Sequence, residues 1–161
     1  MGSSYHTMKS LIKLLRPLLL FLLYSLWFIT RPKTSGAKVV IICGDEILLI
    51  KTTYGYNYSI PGGGIKKGET PKDAAIRETF EEVGIHLTDV TPLPTFVTYK
   101  EHKEDTVHCF YATVLSKDYK IDSLEIDIAE WHRLDSLPKL DSVTEKIVEL
   151  YTGRESSHIK T

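Results

Sequence analysis

Residues 63–85 read GGIKKGETPKDAAIRETFEEVGI, and the spacing of one glycine, one arginine and four glutamates within them decides how the rest of the chain is read. Five residues separate Gly63 from Glu69, seven more lead to Arg77-Glu78, and Glu81-Glu82 and Gly84-Ile85 complete the pattern. Thr70, Pro71 and Asp73 make a helix start: a hydroxyl N-cap, a proline at the first helical position, and an acid three residues after the cap. Gly84 supplies the stop, because it takes positive φ without a Cβ penalty. The predicted helix therefore covers 71–83. At 100° per residue, Glu78, Glu81 and Glu82 fall within an arc of about 100°, with Ile76, Phe80 and Val83 across from them. Like charges packed this closely repel by several tenths of a kcal/mol per pair, so the face makes most sense around a cation. A few carboxylates, with the other positions left to water and phosphate, suit Mg²⁺ or Mn²⁺.

Just ahead, Ser59-Ile60-Pro61-Gly62-Gly63-Gly64 predicts a short strand entering a turn free of side chains, whose carbonyls can approach a metal. Glutamate-rich helix faces are ordinarily solvated surface. What separates this one is that glycine, cap, arginine and four acids agree together. The pattern resembles the Nudix box, G-x5-E-x7-R-E-U-x-E-E-x-G-U with U a bulky aliphatic, over 23 contiguous residues. Thr79 departs from it at the first U, a packing position.

That resemblance implies a Nudix fold, a mixed sheet sandwiched between helices, and hydrolysis of the diphosphate linkage of a nucleoside diphosphate derivative or nucleoside triphosphate by water attack on phosphorus. Carried over by position, Gly63 offers a carbonyl near the metal, and Glu78, Glu81 and Glu82 bind it or its waters. Glu69 and Arg77 read as supports, with Arg77 orienting a catalytic glutamate through a charge-assisted pair. Glu125, in Leu124-Glu125-Ile126 ahead of Trp131, resembles the family's downstream acid and reads as a further ligand or the general base; Asp127 and Glu130 are rivals. Two alternatives stay open: a non-catalytic nucleotide-sensing module, and a prenyl or lipid diphosphate enzyme at a membrane. The implied partner is a small nucleoside diphosphate-type molecule, with no nucleic acid expected.

For substrate contacts, Tyr54, Tyr56 and Tyr58 alternate ahead of the glycine turn and either stack a base or sit on a strand surface. Lys51, Tyr99, Lys100 and His102 are further candidates for phosphate or base contacts.

At 161 residues and 42% hydrophobic content the chain supports a single compact domain. Cys43 and Cys109 lie in apolar runs and are too few for a disulfide framework, which points to a reducing compartment. No zinc-ligand spacing occurs. A net charge of −1 hides an asymmetry, for Lys9, Lys13, Arg16, Arg31, Lys33 and Lys38 precede the first acid, Asp45. Within that basic part Leu18–Ile29 reads LLLFLLYSLWFI between Pro17 and Pro32. Twelve residues fall short of the roughly 20 a spanning helix needs, but the run reaches about 19 if Lys13 and Arg16 are tolerated near one end, so spanning stays open; no small-x-small cleavage site follows. The competing readings are an anchor at the cytoplasmic membrane surface through residues 9–31, a helix packed on the domain or in a homodimer, and export. Met1–Thr7 resembles a tag remnant. The expected organisation is a basic, hydrophobic helical segment over 1–35, the catalytic domain over 36–153, and a frayed tail over 154–161.

Outside the box, Lys38–Cys43 and Glu46–Thr52 predict a hairpin about Gly44-Asp45. Leu93–Tyr99, Thr106–Leu115 and Ile126–Leu134 predict further strands. Asp141–Tyr151, stopped by Gly153, predicts a closing helix with Val143, Ile147 and Leu150 on its packed face.

Overall fold

The computed structural model describes residues 33–100, 103–121 and 123–158. The segment read as an anchor or packing helix lies outside these residues. Among the described residues, no helix is long and apolar enough to cross a membrane.

Among the described residues, seven strands and two helices follow in order: β1 (Lys33–Cys43), β2 (Glu46–Thr52), β3 (Gly62–Gly64), α1 (Pro71–Val83), β4 (Thr91–Pro92), β5 (Phe96–Lys100), β6 (Lys103–Thr113), β7 (Ile126–Arg133) and α2 (Ser142–His158). They form one mixed sheet with the path β4-β6-β1-β2-β7, to which β3 adds on β1 and β5 on β6. β1 and β6 run parallel from Lys33↔Glu104 to Ile42↔Thr113; the other pairs are antiparallel.

A central parallel pair must be covered on both faces, and continuous apolar runs, VVII at 39–42 and ILLI at 47–50, supply the side chains for that. Ala37, Val39, Ile41, Leu48 and Ile50 point to one face and pack against Ala74, Ala75 and Val83 of α1. Val40, Ile42, Ile47 and Leu49 point to the other and meet Ile147, Val148 and Tyr151 of α2. The Nudix arrangement of a mixed sheet between helices is therefore present.

Several local expectations need correction. β1 starts at Lys33, ahead of the Lys38 expected for the first strand, and is paired with β6 from there. The run expected over Leu93–Tyr99 divides into β4 and β5 around Leu93-Pro94-Thr95, both pairing with β6; proline cannot donate to the ladder. Gly153 does not end the last helix, which runs to His158 through residues expected to be a tail. Gly153 lacks the left-handed φ that makes glycine a stop. The buried face of α2 carries Thr144, Ile147, Val148 and Tyr151, with Val143 and Leu150 only partly covered.

Candidate active site

α1 begins and ends as its sequence dictates. The Thr70 hydroxyl accepts from the Asp73 N–H at 3.1 Å, Pro71 opens the helix, and Gly84 closes it at φ 67° with its N–H on the Phe80 carbonyl. Its buried side is rotated from the expected one. Thr79 and Glu82 are buried, whereas Phe80 keeps 47% of its surface and stacks on His86. Thr79, the departure from the box, is fully enclosed and donates its hydroxyl to the Ala75 carbonyl at 2.8 Å, so the smaller polar residue fits without an orphaned group.

Opposite α1, the glycine turn leaves no room for a side chain at Gly62 or Gly63. A Cβ on Gly62, at φ 137°, would stand 2.1 Å from the Ala37 carbonyl oxygen, and one on Gly63 would stand 2.7 Å from the Glu78 carboxylate. Between turn and helix opens a cleft of about 700 Å³ into which Glu78, Glu81, Glu82 and Glu125 face, together with Thr52 and Tyr54.

Arg77 organises the outer acids. Its Nε and Nη2 donate to both oxygens of Glu69 at 2.7 and 2.9 Å. Its Nη1 donates to Glu78 at 2.7 Å and Glu81 at 2.9 Å, and Nη2 also reaches the Gly64 carbonyl at 3.0 Å. All five guanidinium hydrogens are thereby engaged. Hydrogen bonding to Arg77, helped by the Lys66 N–H, holds the Glu69 carboxyl well below the usual range, and the same pairing raises Arg77 further. Glu69, Glu78 and Glu81 are thereby gathered on one guanidinium.

Glu82 sits apart from this hub. Its Oε2 accepts from the Gly62 N–H at 2.8 Å, yet burial pushes its carboxyl up to about 7, with Glu78 and Glu125 adding to the effect and Lys38 and the Gly62 N–H opposing it. Tyr54, half exposed at the rim, has its hydroxyl raised to about 12, first by burial and then by Glu125, Glu82 and Glu78. It therefore stays a neutral hydroxyl at physiological pH.

The other substrate candidates stand elsewhere. Alternation along β2 places Lys51 on the α2 face of the sheet, where its ammonium lies 5.4 Å from the Tyr58 ring. Tyr58 donates to Glu130 at 2.8 Å, which removes that rival acid from the cleft as well. Tyr56 and Tyr99 are exposed, and neither they nor Asp127 line the cleft. His102 and the Lys100 side chain lie outside the described residues. Two cleft cations escaped the sequence reading: Lys66, 3.5 Å from Glu81, and Lys38, half-buried, which donates to the Ile60 carbonyl at 3.0 Å and the Ser59 hydroxyl at 3.2 Å and whose place on β1 was the less expected. Its signal was a lone charge in the apolar run Ala37–Ile42.

The donor set fits a hard divalent cation in chemistry: oxygen only, rich in carboxylate, with Gly63 bare against Glu78. Among the described residues no three acidic, histidine or cysteine side chains are gathered tightly enough to enclose an ion. Arg77 accounts for this by holding Glu78 and Glu81.

A glycine turn on a mixed sheet, facing a helix with an R-E-x-x-E-E pattern and covered by a second helix behind, defines a Nudix-type domain. The NUDIX domain family model matches residues 32–151, and the chain belongs to that family. It is 28% identical over 131 residues to the NAD-capped RNA hydrolase NudC of Pseudomonas aeruginosa, covering 78% of this chain and 46% of that protein. Against the m7GpppN-mRNA hydrolase dcap-2 of Caenorhabditis elegans it is 32% identical over 114 residues, 65% of this chain and 14% of the other. A MutT NUDIX hydrolase from Burkholderia pseudomallei has a similar structure, with TM-score 0.68 and 25% identity over 74% of this chain and 98% of that one. The chain spans about half the length of the NudC proteins it matches.

Proposed function

We propose that this domain hydrolyses the phosphoric anhydride of a nucleoside diphosphate derivative. The observation that carries the reading is the cleft in which Glu78, Glu81, Glu82 and Glu125 face the bare backbone of Gly62–Gly64, with Arg77 tying the outer carboxylates in place. Glu78, Glu81, Glu82 and the Gly63 carbonyl would hold Mg²⁺ or Mn²⁺, and Glu125 is the remaining donor. Such an ion, when bound, neutralises charge on the phosphate oxygens.

The chain's own residues supply the rest. Water adds to phosphorus while the anhydride P–O bond breaks, the leaving phosphate takes the electron pair, and the water's proton passes to a carboxylate. Glu125 suits that role because it lines the cleft without resting on Arg77, and a general base of this kind contributes about 10²–10⁴-fold. Tyr54 presents a neutral hydroxyl to the developing charge. A second groove of about 560 Å³, lined by Gly36, Ser59, Val107 and Val143, adjoins the cleft at Lys38, Gly63 and Gly64, with room for the remainder of the substrate.

A second reading is favoured by the relatives named as hydrolases of capped RNA: the same anhydride at the 5′ end of an RNA, with the chain's surface taking the polymer. Release of phosphate, pyrophosphate or mononucleotide from nucleoside triphosphates, dinucleotides, capped RNA and prenyl diphosphates, with and without Mg²⁺, separates these readings from a sensing module and from a lipid diphosphate enzyme. Turnover of free nucleotides should require Mg²⁺, and Glu81→Gln should lower it at least 100-fold with the fold intact. Retained activity in that variant would remove the metal assignment.

A further inference from the structure

The cleft is lined by three cations, and two are already committed. Arg77 has all five hydrogens in use, and Lys66 lies 3.5 Å from Glu81. Lys38 differs. Its Nζ is fixed by two neutral oxygens, the Ile60 carbonyl and the Ser59 hydroxyl. An ammonium carries three hydrogens, so one remains to be donated. No ion pair to Lys38 is found among the described residues, and its charge is felt by Glu82 across the cleft. A half-buried charge held only by neutral groups is costly unless an anion completes it. Lys38 also lines both the carboxylate cleft and the second groove.

We propose that Lys38 binds the non-bridging oxygen of the substrate phosphate that faces away from the glutamates, and so sets which phosphate is presented for attack. The diphosphate straddles the junction at Lys38, Gly63 and Gly64, with one phosphate against the glutamates, the next on Lys38 Nζ, and its ester-linked group in the second groove. This assignment rests on the hydrolase reading for its substrate class. The ligand chemistry is a diphosphate bearing one bulky substituent. The competing role is mechanical: Lys38 would merely pin the Ser59–Ile60 segment to β1.

The test uses the full chain and methylenediphosphonate, whose P–C–P link is not hydrolysed, titrated calorimetrically at fixed Mg²⁺. Lys38→Met should weaken binding at least tenfold, in the range of a lost charge-assisted hydrogen bond. Lys38→Arg should bind within about threefold of the natural chain, because charge and donors are kept. With a cleaved nucleotide, Lys38→Met should raise KM. Equal probe affinity in Lys38→Met and the natural chain overturns the assignment, as does failure of the natural chain to bind the probe. Losses in both variants that track their melting temperatures overturn it in favour of the pin. Because the probe is not turned over, Lys38-dependent binding in a chain that cleaves no nucleotide would sink the hydrolase reading and leave Lys38 standing; nucleotide cleavage with KM indifferent to Lys38→Met would do the reverse.

Discussion

Replacing Glu82 with glutamine should stabilise the cation-free domain at alkaline pH while disabling it. Glu82 is only 7% exposed, and burial lifts its carboxyl from 4.5 to about 7. At about 1.4 kcal/mol per pH unit, holding it ionised costs the fold on the order of 3 kcal/mol. Because the folded value lies above the unfolded one, the favourable contribution is complete below pH 4.5, is lost as pH rises through about 7, and stays lost above it. Glutamine keeps the shape, can still accept from the Gly62 N–H, and carries no charge at any pH. The variant and the natural chain should therefore have equal stability near pH 4.5 and differ by about 3 kcal/mol in favour of the variant at pH 8, or roughly 6–12 °C in melting temperature. Thermal and urea unfolding in EDTA at the two pH values measures this directly, and taking the difference between proteins cancels the other titrating groups. Mg²⁺ at pH 8 should then raise the melting point of the natural chain more than that of the variant, since a ligand stabilises only the state that binds it. An identical pH slope in both proteins would refute the reasoning.

Two glycines test the backbone in opposite directions. Gly153→Ala should stabilise the domain by about 0.5–1 kcal/mol, because the residue sits inside α2 with nothing within 4 Å of an added Cβ; destabilisation in urea unfolding would mean that it caps the helix instead. Gly62→Ala should cost more than about 3 kcal/mol through the 2.1 Å contact with the Ala37 oxygen and a φ of 137°, and a midpoint like that of the natural chain would show that β3 does not lie as described.

How far the sequence could be read follows from how local each cause is. The cap at Thr70, the stop at Gly84 and the hairpin at Gly44-Asp45 depend on a few neighbouring residues, and each stands where expected. The pairing of Arg77 with its acids was legible because they lie eight residues before it and one and four after. Gly153 misled because a glycine stops a helix only where the chain leaves in the left-handed region, which packing decides. Phe80 misled for a similar reason: the helical wheel gives angles but not which arc the sheet covers, and here the covered arc takes in Glu82. Tyr54, Tyr56 and Tyr58 look equivalent in sequence, yet the chain turns between them and only Tyr54 reaches the cleft. Lys38 showed in the sequence only as a lone charge, because the groups that fix its ammonium, Ser59 and Ile60, are more than twenty residues away.

The placement of charge explains why these parts belong together. Glu69 and the four cleft carboxylates exceed the lining cations Lys38, Lys66 and Arg77 by two charges, the charge of one divalent ion. Arg77 disperses the excess among the outer acids, where water still screens it. At Glu82 burial removes the screening, Lys38 and the Gly62 N–H offset only part of the cost, and the excess is expressed as a carboxyl lifted to about 7. A diphosphate brings further negative charge, so it cannot enter such a cleft on the strength of Lys38 alone; the acids must first be neutralised. On the function proposed above, the residues that make the empty fold less stable near Glu82 are those that would make anion binding conditional on a cation, and the strain and the selectivity of the site would have one origin.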